Sequence, residues 1–263
     1  MRKTDADTDT RHDRNFVSSL QKGLEALCAF SRKHNRLTVS EMAVLTGSSP
    51  ASARRSLLTL QSLGFLHGNG KHFWMAPKSL LVAHAYLSSR PTPSLAQPLL
   101  DALSERSRQS ASIAQLLDTD AIIIARSTAR RSLSTGLGIG SRLPAYCSAV
   151  GRVLLASLPP EEAQRRLRAS RLEKLTPHTV VKLSELAARI DEVRTRGYSD
   201  NDEELEVGVR SLAVPVFNRE GVTVAALSIS VRAERIASDD FRNMMLPLLL
   251  RSQAQLAKTL YQE

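Results

Sequence analysis

Only two cysteines, Cys28 and Cys147, occur in the 263 residues of this chain. Neither has a second Cys or His at ligand spacing, so the sequence offers no zinc knuckle and no disulfide framework. A reducing cytosol is the expected compartment. Aromatic residues make up only 4%, which leaves Leu, Val, Ile and Ala to build the cores. No apolar run approaches the roughly 18 residues of a membrane span. The opening stretch MRKTDADTDTRHDRN is polar throughout and lacks the apolar segment of a secretory signal. It reads as a disordered tail of mixed charge, residues 1–15. Internal repeats are absent as well.

What is present is enough apolar material for real cores, 42% of the chain, at a length that fits one large domain or two ordinary ones. The formal net charge is +10, which suits a nucleic-acid or other anionic partner without specifying a fold. The charge is uneven. Residues 1–90 hold 13 Lys and Arg against 6 Asp and Glu, and residues 91–263 hold 23 against 20.

The basic third carries a motif. From Val17 to Arg32, the apolar Leu20, Leu24, Leu27 and Cys28 recur at helical spacing. In LTVSEMAVLTGSS, Thr38 and Glu41 form a capping-box pattern, Met42 and Leu45 make a buried side, and Gly47 ends the helix. A second helix begins at once, with Ser49 as N-cap and Pro50 in the first position. Ala53, Leu57, Leu60 and Gly64 share one side of it. Ala51, Ser52, Arg55 and Thr59 face the other way, Arg54 lies on the flank, and Leu58 is an apolar misfit on the outward side. Then FLHGNGKHFWM reads as two short strands, Phe65–His67 and His72–Met75, around an Asn-Gly turn. Helix, short helix, tight turn, helix and hairpin make a winged helix-turn-helix over residues 16–76. A small helical domain with merely solvated arginines lacks the basic wing. In such a motif the second helix enters the major groove, where Arg can grip guanine through two hydrogen bonds. Ser52 and Arg55 are therefore expected to read bases, Arg54 and Lys71 to hold phosphate, and Ser49, Ala51 and Thr59 to lie at the same surface.

Residues 77–94 read as a linker, with a helix over Pro77–Ser89 and a break at RPTPS. Residues 95–263 alternate helix and strand as an α+β domain with a largely antiparallel sheet. The expected helices are Pro98–Gln109, Ser148–Leu158, Pro160–Arg168, Leu183–Arg196 and a long last one from Ser238. The expected strands are Ser112–Leu117, Ala121–Arg126, Arg210–Phe217 and Val222–Val231. On the last strand Leu227, Ile229 and Val231 share one side, while Ala226, Ser228 and Ser230 share the other. A pure core strand has little use for two hydroxyls. The free N–H groups at the start of the helix near Ser148 favour an anion. If that helix lies opposite the two serines, as the resemblance given next implies, the ligand is a small carboxylic acid, with Arg142 either adding charge or facing solvent.

The segments FVSSLQKGLEAL, LTVSEMAVLTGSSPASARRSLLTLQSLGFL, GSRLPAYCSAVGRVLLASL and RGYSDNDEELEVGVRSLAVPVFNREGVTVAALSIS carry a resemblance. The chain resembles the isocitrate-lyase-regulator (IclR) type of bacterial transcription factor over roughly Phe16 to Tyr261. It looks closest to regulators of protocatechuate, p-hydroxybenzoate and β-ketoadipate metabolism. The resemblance implies a winged helix-turn-helix domain, a linker helix and a GAF-like effector-binding domain. It also implies homodimers or homotetramers on a double-stranded DNA operator, a small organic acid as effector, no cofactor and no membrane. Carried over by position, the pocket would be lined by Leu143, Ala149, Val150, Asn201, Val209, Ser211, Ser228 and Ser230, with Ser132 and Thr135 from the loop. Asn201 stands where some relatives have an acidic residue, and Ser211 where some have Cys.

Other chemistry is tempting. GLGIG, residues 136–140, lacks the Lys-Ser/Thr of a P-loop and the spacing of a dinucleotide fingerprint. DNDEELE, residues 200–206, does not have EF-hand spacing and reads as a solvated acidic turn. His178 reads as a loop residue. An enzyme with a fused DNA-binding module would have to use Cys147, near a helix start, or that acidic cluster.

Overall fold

The structure, a computed structural model, describes residues 15–129 and 136–260. The expected tail, all but its last residue, and the loop residues Ser132 and Thr135 lie outside the described residues. The chain falls into two compact units that part between Ser89 and Arg90.

In the first unit, α1 (Ser18–Cys28), α2 (Val39–Thr46) and α3 (Pro50–Ser62) precede a hairpin of β1 (Leu66–Gly68) and β2 (Phe73–Met75). The turn between α2 and α3 is built as its residues dictate. Thr38 and Glu41 form a complete capping box, Gly47 adopts φ 62°, and the Ser49 hydroxyl accepts from the Ser52 N–H. The hydrogen bonds from Thr38 hold the Glu41 carboxyl below its usual range. Ala26, Leu37, Met42, Ala53, Leu57, Leu60, Leu66 and Phe73 form the core. Leu37 and Phe73 exchange backbone hydrogen bonds, which pairs the segment before α2 with β2 as an isolated bridge. A 3-10 turn (Pro77–Ser79) then leads into α4 (Leu80–Ser89). There Lys78 donates to the Leu63 carbonyl at 2.9 Å, satisfying the C-terminus of α3.

Three expectations for this unit fail. Helix α1 stops at Cys28 rather than near Arg32, and its leucine stripe is not covered: Leu20 and Leu24 are exposed. Leu45 is exposed too, because Met42 and Ala43 take the inward side of α2. Ser52 is buried. The arc of α3 that is covered is wider than an apolar stripe implies, because α1 packs along one flank.

The second unit opens with α5 (Pro91–Ser107). The two prolines read as a break instead start this helix, since the first turn needs no N–H donors. Pro98 lies inside it. A six-stranded sheet follows in the order β5-β4-β3-β8-β7-β6, every pair antiparallel. Its strands are β3 (Ser110–Leu117), β4 (Asp120–Ser127), β5 (Arg142–Pro144), β6 (Ser199–Asp202), β7 (Val209–Phe217) and β8 (Thr223–Arg232). Helices α5 and α9 (Ser238–Leu260) cover one face around Ile113, Leu212, Leu227 and Phe241. Helices α6 (Ala149–Ala156), α7 (Pro160–Ala169) and α8 (Leu183–Arg196) belong to the other, around Tyr146, Val153, Leu155 and Leu186. Strand β6 was unforeseen: Ser-Asp-Asn-Asp has poor strand propensity, and edge pairing with β7 makes the strand.

Candidate functional sites: a recognition helix and an arginine-serine floor

On α3, Ala51, Arg54, Arg55, Leu58 and Thr59 are exposed. Ala51, Arg55 and Leu58 sit opposite the core, with Arg54 on one flank and Thr59 on the flank toward α1. Ser52 leaves this surface, so base reading by Ser52 is withdrawn. Its backbone N–H serves the Ser49 cap instead. In the wing, Asn69 Oδ1 accepts from the N–H groups of Lys71 and His72 at 3.2 and 2.9 Å and leaves Lys71 exposed at the tip. Exposed Arg36 lies over the Trp74 ring, 4.8 Å from its centroid. Sequence reasoning missed this cation, because only the Leu37–Phe73 bridge brings the two segments together.

Beside α3 runs a cleft of about 720 Å³ lined by Leu20, Leu24, Leu27, Leu63, Phe65 and Val82. Helix α4 has no buried residue although Leu80, Leu81 and Val82 are apolar. The unit thus exposes a contiguous apolar surface of the kind that marks an interaction site.

In the second unit, the sheet face beneath α6 is polar. Register pairs Arg126 with Ser112, Ser112 with Ser228, and Ser228 with Ala213. The next rung pairs Ser110 with Ser230, Ser230 with Ser211, and Ser211 with Asn201. Ser112 and Ser228 are buried, while Ser211, Ser230, Val209 and Arg126 are half-buried. Arg126 Nη1 donates to Ser112 Oγ at 2.8 Å, which lays the guanidinium over the floor. Burial lowers the Arg126 pKa from its ordinary value, yet a guanidinium remains protonated in a protein. Arg126 was absent from the sequence reading. The signal was there, as the one charged residue inside the apolar stretch AIIIAR.

The roof is α6, which crosses β6, β7, β8, β3 and β4. Leu143, Ala149 and Val150 are buried in the same cluster. Asn201 reaches the floor, but its amide donates to the Cys147 carbonyl at 2.6 Å and ties β6 to the roof. At the start of α6 one N–H is already taken. Ser148 Oγ takes the Gly151 N–H, and a Cβ on Gly151 would lie 2.2 Å from Ala145 Cα. Arg142 does not help either, since it is exposed and paired with Asp120.

The acidic segment is not a solvated turn. Glu204 is buried and receives both Nη atoms of buried Arg152, at 2.7 and 2.6 Å. Arg189 donates to the same carboxylate at 2.7 Å, and so does the Val180 N–H at 3.2 Å. Asp200 pairs with Arg196 and Arg242, and Asp202 and Glu203 pair with Arg210. These ion pairs leave the cluster to arginines rather than to metal or acid–base work. Burial pushes the Cys147 thiol up to about 12, so it stays protonated at neutral pH and is no nucleophile. The glycine loop is no phosphate cradle: the Gly138 and Gly140 N–H groups donate to Ser141 Oγ and the Ile123 carbonyl. His178 is an exposed loop residue. Among the described residues no helix is long and apolar enough to cross a membrane.

Two family profiles match the chain: the IclR helix-turn-helix domain over residues 19–70, and the bacterial transcriptional regulator IclR C-terminal domain over residues 84–257. The Pca regulon regulatory protein of Pseudomonas putida is 37% identical over 250 residues, covering 95% of this chain and 86% of its own. The p-hydroxybenzoate hydroxylase transcriptional activator of Acinetobacter baylyi is 34% identical, over 89% of this chain and 88% of its own. Among solved structures, a double mutant of the PobR inducer-binding domain from Acinetobacter, in complex with 3-hydroxybenzoic acid, is 32% identical with a TM-score of 0.60. It covers 63% of this chain and 97% of that domain.

Proposed function

Because the chain belongs to the IclR family of bacterial transcriptional regulators, we propose that it switches genes of aromatic-acid catabolism in response to a small carboxylic acid held on the Arg126 floor. It is a DNA-binding regulator and not an enzyme. The effector is an aromatic acid or a ring-cleavage product. The observation that carries this reading is Arg126: a half-buried, permanent cation beside hydroxyl donors matches a carboxylate. Its support from outside the chain is the aromatic acid in the related domain and the p-hydroxybenzoate hydroxylase activator among the relatives. Ser230, Ser211 and Val209 extend the floor, and Leu143 and Val150 face the ligand's apolar body. A protein acting on the bacterial chromosome works in the cytoplasm.

Arg55 reads a base, and Arg54, Lys71 and Arg36 hold phosphates. Arg55→Ala costs about 1–3 kcal/mol on the specific site and relaxes preference at one position. Lys71→Ala weakens all sequences alike and flattens the salt dependence. Anisotropy titrations on specific and random duplexes measure both. Equal losses on the two duplexes for Arg55→Ala would remove the base-reading role.

The uncovered leucines of α1 and the apolar α4 pack against a second copy, giving a homodimer that reads a pseudo-palindrome and is able to pair into a tetramer. Leu24→Glu combined with Leu81→Glu shifts the intact chain toward monomer in sedimentation velocity at micromolar concentration. An unchanged distribution would place the interface elsewhere.

A further inference from the structure

Leu58 is 41% exposed, the only large apolar side chain exposed along α3. The core does not use it: Ala53, Leu57 and Leu60 serve the core from the other side of the helix. Nor does it line the cleft beside α3 assigned to the second copy. It stands on the outward stripe of Ala51 and Arg55, one turn beyond Arg55, with exposed Arg54 on the flank. A single leucine facing water is ordinary. A leucine set among arginines on a recognition helix is not, because that charge draws the surface onto a polyanion and docking strips the leucine of its water.

The major groove offers such a side chain little. Its base edges present donors and acceptors, and its distinctive apolar group is the C5-methyl of thymine. Leucine pressed on guanine O6 or on a purine N7 dehydrates an acceptor and gives it no hydrogen bond. Leucine pressed on the thymine methyl buries apolar surface on both sides. Helix geometry places the contact. Positions three apart on a helix face have Cβ atoms about 5–6 Å apart, and successive bases rise by roughly 3.4 Å. The base that meets Leu58 therefore lies within about two base pairs of the one that meets Arg55.

We propose, resting on the recognition-helix reading above, that Leu58 is a specificity-determining residue that reads the C5-methyl of a thymine within about two base pairs of the base read by Arg55. The test uses a duplex selected from a random pool by the intact protein, with each thymine replaced in turn by deoxyuridine. That exchange removes one methyl and keeps every hydrogen-bonding edge. In anisotropy titrations the wild type is expected to lose about fourfold in affinity at one such position in each half-site, the worth of one buried methyl. Leu58→Ala binds the thymine duplex more weakly than wild type and no longer distinguishes thymine from deoxyuridine at that position. Alanine suits an exposed helix position, so the fold stands, and a thermal melt checks this. A wild type indifferent to every exchange, or a methyl effect that survives Leu58→Ala at every sensitive position, would overturn the proposal while leaving base reading by Arg55 in place. If the pool yields no preferred sequence, the recognition-helix reading itself fails, and the thymine contact with it.

Discussion

Replacing Arg126 with leucine weakens the binding of carboxylic acids by about 2–5 kcal/mol. Arg126 is half-buried on β4 and held over the sheet by its bond to Ser112 Oγ, so a carboxylate there meets a charge that water screens only partly. The guanidinium fork matches both carboxylate oxygens, so Arg126→Lys restores only a fraction of the affinity. The substitution leaves the fold standing, because leucine suits a strand whose neighbours Ile123 and Ile124 are already buried. Calorimetry and a thermal melt separate the two roles. Lost binding with an unchanged melt fits an anchor, whereas unchanged affinity would dismiss Arg126 from the site.

Glu204→Gln has the larger effect on stability, a loss of about 3–5 kcal/mol in the second unit. Glu204 accepts two hydrogen bonds from Arg152, one from Arg189 and one from the Val180 N–H. The neutral amide leaves the buried Arg152 charge uncompensated. Arg152 Nε also donates to the Tyr146 carbonyl at 2.9 Å, and the Tyr146 hydroxyl is latched to Glu173 at 2.7 Å. Thr176 and Thr179 hold the carbonyls of Glu203 and Glu204 at 2.8 and 2.6 Å. Glu204 is thus the pin that joins the α6 roof, α8 and the segment after β6. Effector affinity falls together with stability, because the roof loses its register over the floor. Denaturant unfolding followed by a probe in the second unit reads the change. A loss below about 1 kcal/mol would give the pair no more weight than a surface ion pair.

The DNA-binding unit was legible residue by residue, because its instructions are local. Thr38 with Glu41, Gly47, and Ser49 with Pro50 each act within a few positions, and the structure builds each as read. Ser52 failed for a tertiary reason: the flank of a helix is buried or exposed according to what lies beside it. The same holds for Leu20 and Leu24, whose spacing gave a stripe without saying what covers it. In the second unit the alternation on β8 was readable and placed Ser228 and Ser230 correctly on the α6 face. The arginines were harder. Arg126 acquires meaning only when register sets it beside Ser112. Arg152 and Glu204 are 52 positions apart and meet only through packing of α6 on the acidic segment. No local pattern marks an acidic residue as buried, so the cluster was read as a wet turn.

An acid bound on the floor is expected to change the grip of the recognition helix on DNA. A duplex enriched from a random pool by the intact protein, titrated by anisotropy with and without saturating terephthalate, measures this in one experiment. The predicted result is an enriched pseudo-palindrome whose affinity shifts by about fivefold or more on adding the acid, the range of ordinary allosteric coupling. Selection of no sequence, or an operator affinity indifferent to terephthalate, 4-hydroxybenzoate and adipate alike, would contradict it.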